Sequence, residues 1–373
     1  MHPSRLAFLS ALTLIGCTAG DGGAAAQSQG RPFQVETLAT FDEPWAMTFL
    51  PSGQALVTEK RGRLKLWTAG RPAIDVGGVP TVSYGGQGGL GDVVLHPDFA
   101  RNQLVYLSFV EAGEGNTRGA AVGRGRLIVE NGAARLDGFS VIWRQQPKVE
   151  GGGHFSHRIA FGPDRMLYIS SGERQHFDPA QDMTGNQGKV VRLNDDGTLP
   201  ADNPWSSRGG VTAQIWSLGH RNLLGLAFAP DGNLWEVEMG PKGGDEVNLI
   251  RRGLNYGWPR ASNGSHYDNR DIPDHRPGDG FEPPKVWWNP SISPSSLIIY
   301  DGAMFPAWRG DALIGALSGE ALIRVDIDGT NAAKADQWGM GARIREVEQG
   351  PDGAIYLLQD GSGGQLLRLT PRR

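Results

Sequence analysis

The run Gly151-Gly152-Gly153-His154-Phe155-Ser156-His157-Arg158 puts an imidazole directly after three glycines and just ahead of an apolar stretch, Ile159-Ala160-Phe161. A loop histidine close to solvent titrates near neutral pH, which suits it to proton transfer. His157 stands three residues further on, so a two-histidine metal pair is an alternative reading, although no Cys and no third His is close by in sequence. An ordinary surface histidine is the third reading.

Four other stretches carry side chains with chemical use. Gly85-Gly86-Gln87-Gly88-Gly89-Leu90-Gly91 surrounds one amide with glycines, letting backbone approach a ligand closely; a plain connecting turn is the competing view. Leu218-Gly219-His220-Arg221-Asn222 offers a planar guanidinium fork beside an amide, or else an arginine paired to a neighbouring acid. Arg343 and Arg345 fall at i, i+2 on one face of a strand. Two like charges that close are easier to explain with an anion between them, or are two solvated charges at an edge. In Met239-Gly240-Pro241-Lys242-Gly243-Gly244-Asp245-Glu246, proline leaves nearby carbonyls free, and two carboxylates follow. Carbonyls and carboxylates are hard oxygen donors, the ligand set of Ca²⁺ rather than Zn²⁺, and an acidic capping turn is the alternative.

These stretches need a scaffold that brings distant loops together. A turn followed by an alternating apolar strand recurs as LPSGQALVTEK, HPDFARNQLVYLSF, GPDRMLYISSG, APDGNLWEVEMG and GPDGAIYLLQD, with a weaker copy FPAWRGDALIGAL. Pro-Asp-Gly turns because Pro presets φ, Asp bonds its own backbone and Gly takes φ > 0. The period-two alternation that follows predicts strands. The spacing predicts an all-β protein, a six-bladed β-propeller with four-stranded antiparallel blades, over residues 31–373 as one domain. A sandwich-rich all-β protein is the lesser option. The 55 glycines and 24 prolines agree with strands and turns, and the net charge of −4 gives no reason to expect nucleic acid.

Residues 1–30 read as an export signal and tether. Arg5 precedes LAFLSALTLIG, too short to span a bilayer, and Leu14-Ile15-Gly16-Cys17 resembles a lipoprotein signal in which Cys17, the chain's single cysteine, is acylated. Ordinary cleavage near Ala24-Ala25-Ala26 is the alternative. Either way the expectation is an exported, periplasmic protein, with a lipid anchor on the first reading.

Taken together, GQGGLGDVVLHPDF, GHRNLLGLAFAP, GPKGGDEVNLIRRGLNYGWP and RIREV resemble the soluble quinoprotein sugar dehydrogenases, which bind pyrroloquinoline quinone (PQQ) and calcium. The likeness runs from about Pro44-Trp45 to Leu367 and is closer to the bacterial aldose sugar dehydrogenase branch. The resemblance implies oxidation of an aldose C1 hydroxyl to the lactone, with His154 as general base and hydride passing to PQQ, then electrons to an external acceptor. It implies Gln87, Arg221, Asn222, Arg343 and Arg345 as PQQ contacts, Arg221 also stabilising charge during reduction, and Tyr267 as a further contact. It implies Gly240 and Pro241 carbonyls on the cofactor calcium, and Glu246 with the Tyr256 carbonyl on a second one. Two departures stand out. Met239 replaces a Gln or His, and Ser318 stands where a lysine commonly reaches PQQ. His157 also replaces a small residue. The rival functions are a calcium-dependent lactone hydrolase, with its metal ringed by side chains at the axis, and a tethered binding module that lost its chemistry. Trp287 and Trp288 are either sugar-stacking or packing residues.

Overall fold

A computed structural model describes residues 30–372. Cys17 and the rest of the predicted export segment lie outside the described residues. The described residues are all-β apart from one short α-helix and a few 3₁₀ turns.

The strands form four separate four-stranded sheets, one eight-stranded sheet and a small two-stranded ribbon. The eight-stranded sheet is two antiparallel four-stranded runs joined by a parallel pairing of Ile74–Gly77 with Ala133–Arg144. The repeated turns connect the first and second strand of each four-stranded run. Gly53, Gly232 and Gly353 take φ of 82°, 86° and 79° there, the left-handed conformation that only glycine adopts without strain. The first strands are Pro44–Phe49, Leu90–Leu95, Ser156–Phe161, Leu223–Phe228, Pro294–Ile299 and Ile344–Gln349. Each packs against the next, and the last packs against the first, so the series closes. Strand Phe33–Asp42 pairs antiparallel with Ser362–Pro371, so the N-terminal strand completes the final sheet.

The apolar core lies between neighbouring sheets. Trp45, Leu56 and Leu66 pack against Leu90, Val93 and Leu107, for example, and Trp235 and Val237 against Leu297, Ala312 and Ile314. Alternation along each strand sends one set of side chains to each neighbour.

Every first strand has a register irregularity at its start: between Pro44 and Ala46, Leu90 and Val93, Ser156 and Ile159, Leu223 and Gly225, Pro294 and Ser296, and Ile344 and Glu346. Such bulges re-aim side chains and release backbone groups from the ladder. The residues skipped include Trp45, Asp92, Arg158, Leu224 and Ser295, and all of them meet at the Arg158 guanidinium. It donates to the carbonyls of Leu224 and Ser295 at 2.7 Å each. It pairs with Asp92 at 3.4 Å and Glu346 at 2.6 Å, and stacks over Trp45 at 4.1 Å. One buried cation therefore ties the first strands of all these sheets together.

Removing it strands two buried carboxylates. Arg158→Leu is expected to lower stability by about 3–5 kcal/mol in urea unfolding, the cost of breaking a buried ion pair from one side. The exposed Arg309→Leu is expected to change it by less than about 0.5 kcal/mol.

Candidate functional site

Most of the predicted site residues sit just before the first strands or just after the second ones, at one end of the closed series. Arg345 instead lies within Ile344–Gln349 and Glu246 within Asp245–Ile250, and Tyr256 and Tyr267 follow the latter. Gln87 precedes Leu90–Leu95, His154 precedes Ser156–Phe161, Arg221 and Asn222 precede Leu223–Phe228, and Arg343 precedes Ile344–Gln349. Gly240 and Pro241 follow Leu234–Glu238, and Ser318 follows Ala312–Ala316.

Gln87, Asn222, Arg343 and Arg345 line one cavity of about 380 Å³, together with Lys60 and Asp360. That volume is within the usual range for small-molecule sites, about 300–1,000 Å³. The glycine loop matters here: Gly86 has φ 58° and a Cβ there would sit 2.5 Å from the Gly152 carbonyl. The two glycine loops touch, with the Gln87 N–H donating to Gly152 at 2.8 Å.

His154 is beside this cavity and not on its wall. Its N–H donates to the Gln87 side chain at 2.7 Å. The expectation of a histidine near solvent is corrected, since His154 is only 5 % exposed. The loop folds inward because Nδ1 of His154 meets the fully buried Glu173 carboxylate in a short contact. Glu173 also accepts from the Phe177 N–H at 2.8 Å, and its own N–H donates to the Arg221 carbonyl at 2.9 Å. Nδ1 being engaged, Nε2 is the nitrogen left for a substrate. Burial, then the positive charges of Arg221 and Arg174, pull the His154 pKa below the ordinary imidazole value, against the Glu173 contact that raises it. Burial would raise Glu173, but His154 and the Phe177 N–H hold its pKa below the usual carboxylate value. Sequence reasoning missed Glu173, although it follows strand Leu167–Ser171 as Gly240 and Ser318 follow theirs.

Arg221 is clamped. Its Nη1 donates to the Met239 and Gly240 carbonyls at 2.9 and 2.6 Å, and Nη2 to the Tyr267 hydroxyl at 3.2 Å. Its Nε is buried with no partner, and Arg221 lines the small void beside the cavity, not the cavity wall. Tyr267 itself is 72 % exposed. Asn222 accepts from Ser156 Oγ at 3.2 Å and turns its amide toward the Met239 sulfur at 3.8 Å. The anion expected between Arg343 and Arg345 is Asp360 of the same chain, 2.9 Å from Arg343 and 2.8 Å from Arg345. Ser318 hydrogen-bonds to Ser293 at 2.7 Å and does not line the cavity, whereas Ser293 does. His157 lines it, buried, stacked on Trp45 at 5.0 Å and bonded to Ser108 at 2.7 Å, with burial pulling its pKa to about 3. The two histidines thus serve different partners. Trp288 is buried beside Lys334, the packing alternative.

Beside the cavity, Gly240, Glu246 and Tyr256 line a void of about 10 Å³ with Glu238; Pro241 is not on its wall. Ligand atoms of His220, Glu236 and Glu238 lie within 4.8 Å of one another. Asn248 donates to Glu236, Glu238 and Glu246 at 3.1, 3.3 and 3.4 Å, and Glu236 keeps one oxygen unpartnered. Burial, then the charge of Glu238, raises Glu236 and Glu246 well above the usual carboxylate value. Three carboxylates sharing one amide want a cation, and an oxygen donor set fits a hard one. Asp245, by contrast, is a brace, accepting from the Gly240, Ile292 and Ser293 N–H groups.

The family model for glucose/sorbosone dehydrogenases matches residues 41–368. The chain is 41 % identical over 339 residues to aldose sugar dehydrogenase YliI of Escherichia coli, covering 89 % of this chain and 91 % of that protein. Among solved structures, a glucose dehydrogenase is 45 % identical with a TM-score of 0.86, covering 90 % of this chain and 99 % of the other. The PQQ-bound form of an aldose sugar dehydrogenase from Streptomyces coelicolor is 29 % identical with a TM-score of 0.74, covering 91 % and 98 %.

Because Glu173 raises the His154 pKa, Glu173→Gln is expected to shift the histidine titration further down. NMR titration of labelled histidine reads this directly, and an unchanged or higher value would refute the pairing.

Proposed function

This chain belongs to the glucose/sorbosone dehydrogenase family of oxidoreductases, and from that premise we propose that it oxidises the C1 hydroxyl of aldose sugars to the lactone, using PQQ and Ca²⁺. The four-stranded runs are read as six blades of a propeller, whose mouth carries the site. The observation that carries the proposal is the buried His154–Glu173 pair held against a cavity walled by Gln87, Asn222, Arg343 and Arg345.

When bound, PQQ would supply a two-electron acceptor for hydride from C1, and Arg343 and Arg345 are the residues whose guanidiniums would hold its carboxylates. Asp360 already neutralises part of that charge and aligns both forks. Neutral His154 takes the C1 hydroxyl proton at Nε2. Glu173 holds the ring from the other side and stabilises the imidazolium that forms, which needs no movement of the pair. Arg221 is held in a frame of Met239, Gly240 and Tyr267 behind the cavity wall, so its charge is in place before negative charge develops. The Gly240 carbonyl, expected on the cofactor calcium, accepts from Arg221 and has one lone pair left. Glu246 and Tyr256, with Glu238, are the residues we assign to the second calcium.

The lactone-hydrolase alternative is disfavoured because the Arg158 guanidinium takes the axial position among the carboxylates where that reading puts a metal. The binding-module alternative leaves the His154–Glu173 pair without a purpose. Export, with acylation at Cys17, remains part of this proposal.

Apo protein supplied with PQQ and Ca²⁺ is expected to reduce a dye when given an aldose. His154→Ala is expected to lose about 10²–10⁴-fold in kcat while still taking up PQQ. Activity needs the neutral imidazole, so kcat/KM should fall as pH drops through an ionisation below about 6.5. A rate that rises toward acid would contradict the base role. Separately, Ca²⁺ should raise the melting temperature of the apo protein, and Glu246→Gln should remove most of that shift.

A further inference from the structure

Lys60 is the first residue after strand Ala55–Glu59, the same point of its sheet at which Asp360 follows Ile355–Gln359. Ser318 occupies the neighbouring point of the fifth sheet, two residues after Ala312–Ala316. Lys60 and Asp360 line the same cavity as Arg343 and Arg345, whereas Ser318 stands just behind Ser293, which does.

Its backbone is held on both sides: the N–H donates to Glu43 at 3.0 Å and the carbonyl accepts from Leu90 at 2.9 Å. The ammonium donates to the Gly86 carbonyl at 3.1 Å, next to Gln87. Among the described residues it forms no ion pair. Glu43, the acid whose charge acts on it most strongly, is already engaged by Arg61 at 3.1 Å and the Tyr84 hydroxyl at 2.7 Å. Asp360 is shared by two arginines. A half-buried lysine with no acid of its own, facing a cavity beside two guanidiniums, is a site for an anion. Burial and the Arg345 charge disfavour its ammonium, against Glu43 and Asp360, and a bound carboxylate would relieve that penalty.

We propose that Lys60 binds a carboxylate of the anionic cofactor, supplying from the first sheet the cation that position 318 lacks in the fifth. This rests on the PQQ reading above. The ammonium keeps two N–H groups beyond the one given to Gly86, enough for a charge-assisted bond to a carboxylate oxygen.

The test is a PQQ titration of apo protein at saturating Ca²⁺, followed by calorimetry at two salt concentrations, with no turnover required. Lys60→Met is expected to weaken binding about ten- to a hundredfold, the worth of a charged hydrogen bond, and to flatten its salt dependence. Lys60→Arg should stay within a few-fold of the parent. The double variant Lys60→Met/Ser318→Lys should regain most of the loss. An unchanged melting temperature of the apo variants shows that folding is intact. Lys60→Met binding as tightly as the parent would overturn the assignment while leaving the cofactor reading standing. A parent that takes up no PQQ would overturn both.

Discussion

The Arg158 guanidinium is the contact on which the rest of this molecule is arranged. Backbone carbonyls of Leu224 and Ser295, carboxylates of Asp92 and Glu346 and the face of Trp45 converge on it from different sheets. Those groups are available only because each first strand leaves its ladder for a residue or two at its start. A carbonyl released from a β-ladder and buried must find another donor, and Arg158 is that donor. Burial, with the charge of Asp92 added, pushes Glu346 to about 8 even with Arg158 beside it. The bulges therefore do two things. They let the strands grip one cation below, and they turn the loops above them toward a common mouth.

Charge is then distributed unevenly around that mouth. One wall carries Lys60, Arg343 and Arg345 with fewer acids than bases to match them. A few residues away, Glu236, Glu238 and Glu246 are packed with one amide and one imidazole for company. The first arrangement is short of anions and the second is short of cations. Arg221 stands between them, its main-chain N–H on Glu238 and its side chain on the Gly240 carbonyl. The His154–Glu173 pair is kept dry, so its proton chemistry is governed by one partner and not by bulk water.

Much of this was legible in the residues. The Pro-Asp-Gly turns lie between first and second strands as expected, because their φ preferences are local and survive any tertiary context. Gln87, Asn222, Arg343 and Arg345, singled out from separate stretches, line one cavity, while His154, Arg221, Ser318 and Tyr267 are not on its wall. Less legible was what each side chain already holds. The anion between the two arginines is Asp360, a residue of the chain itself. Asp245, whose carboxylate reads either as a hard oxygen donor or as part of a capping turn, is consumed by three backbone N–H groups. His154 reads as a solvent-facing loop histidine, yet Glu173 draws it inside. In each case the partner is remote in sequence or is main chain, and neither leaves a pattern that spacing reveals.

The amino-acid sequence by itself determined where the chain turns, which segments are strands and which loops carry reactive side chains, since these follow from φ preferences and alternation over a few residues. Only the tertiary structure decided which of those side chains stay free. That choice depends on burial and on pairings between sheets, such as Glu173 with His154, Asp360 with its two arginines and Arg158 with the axis. A buried charge takes the nearest partner that three-dimensional packing offers, whatever its distance along the chain.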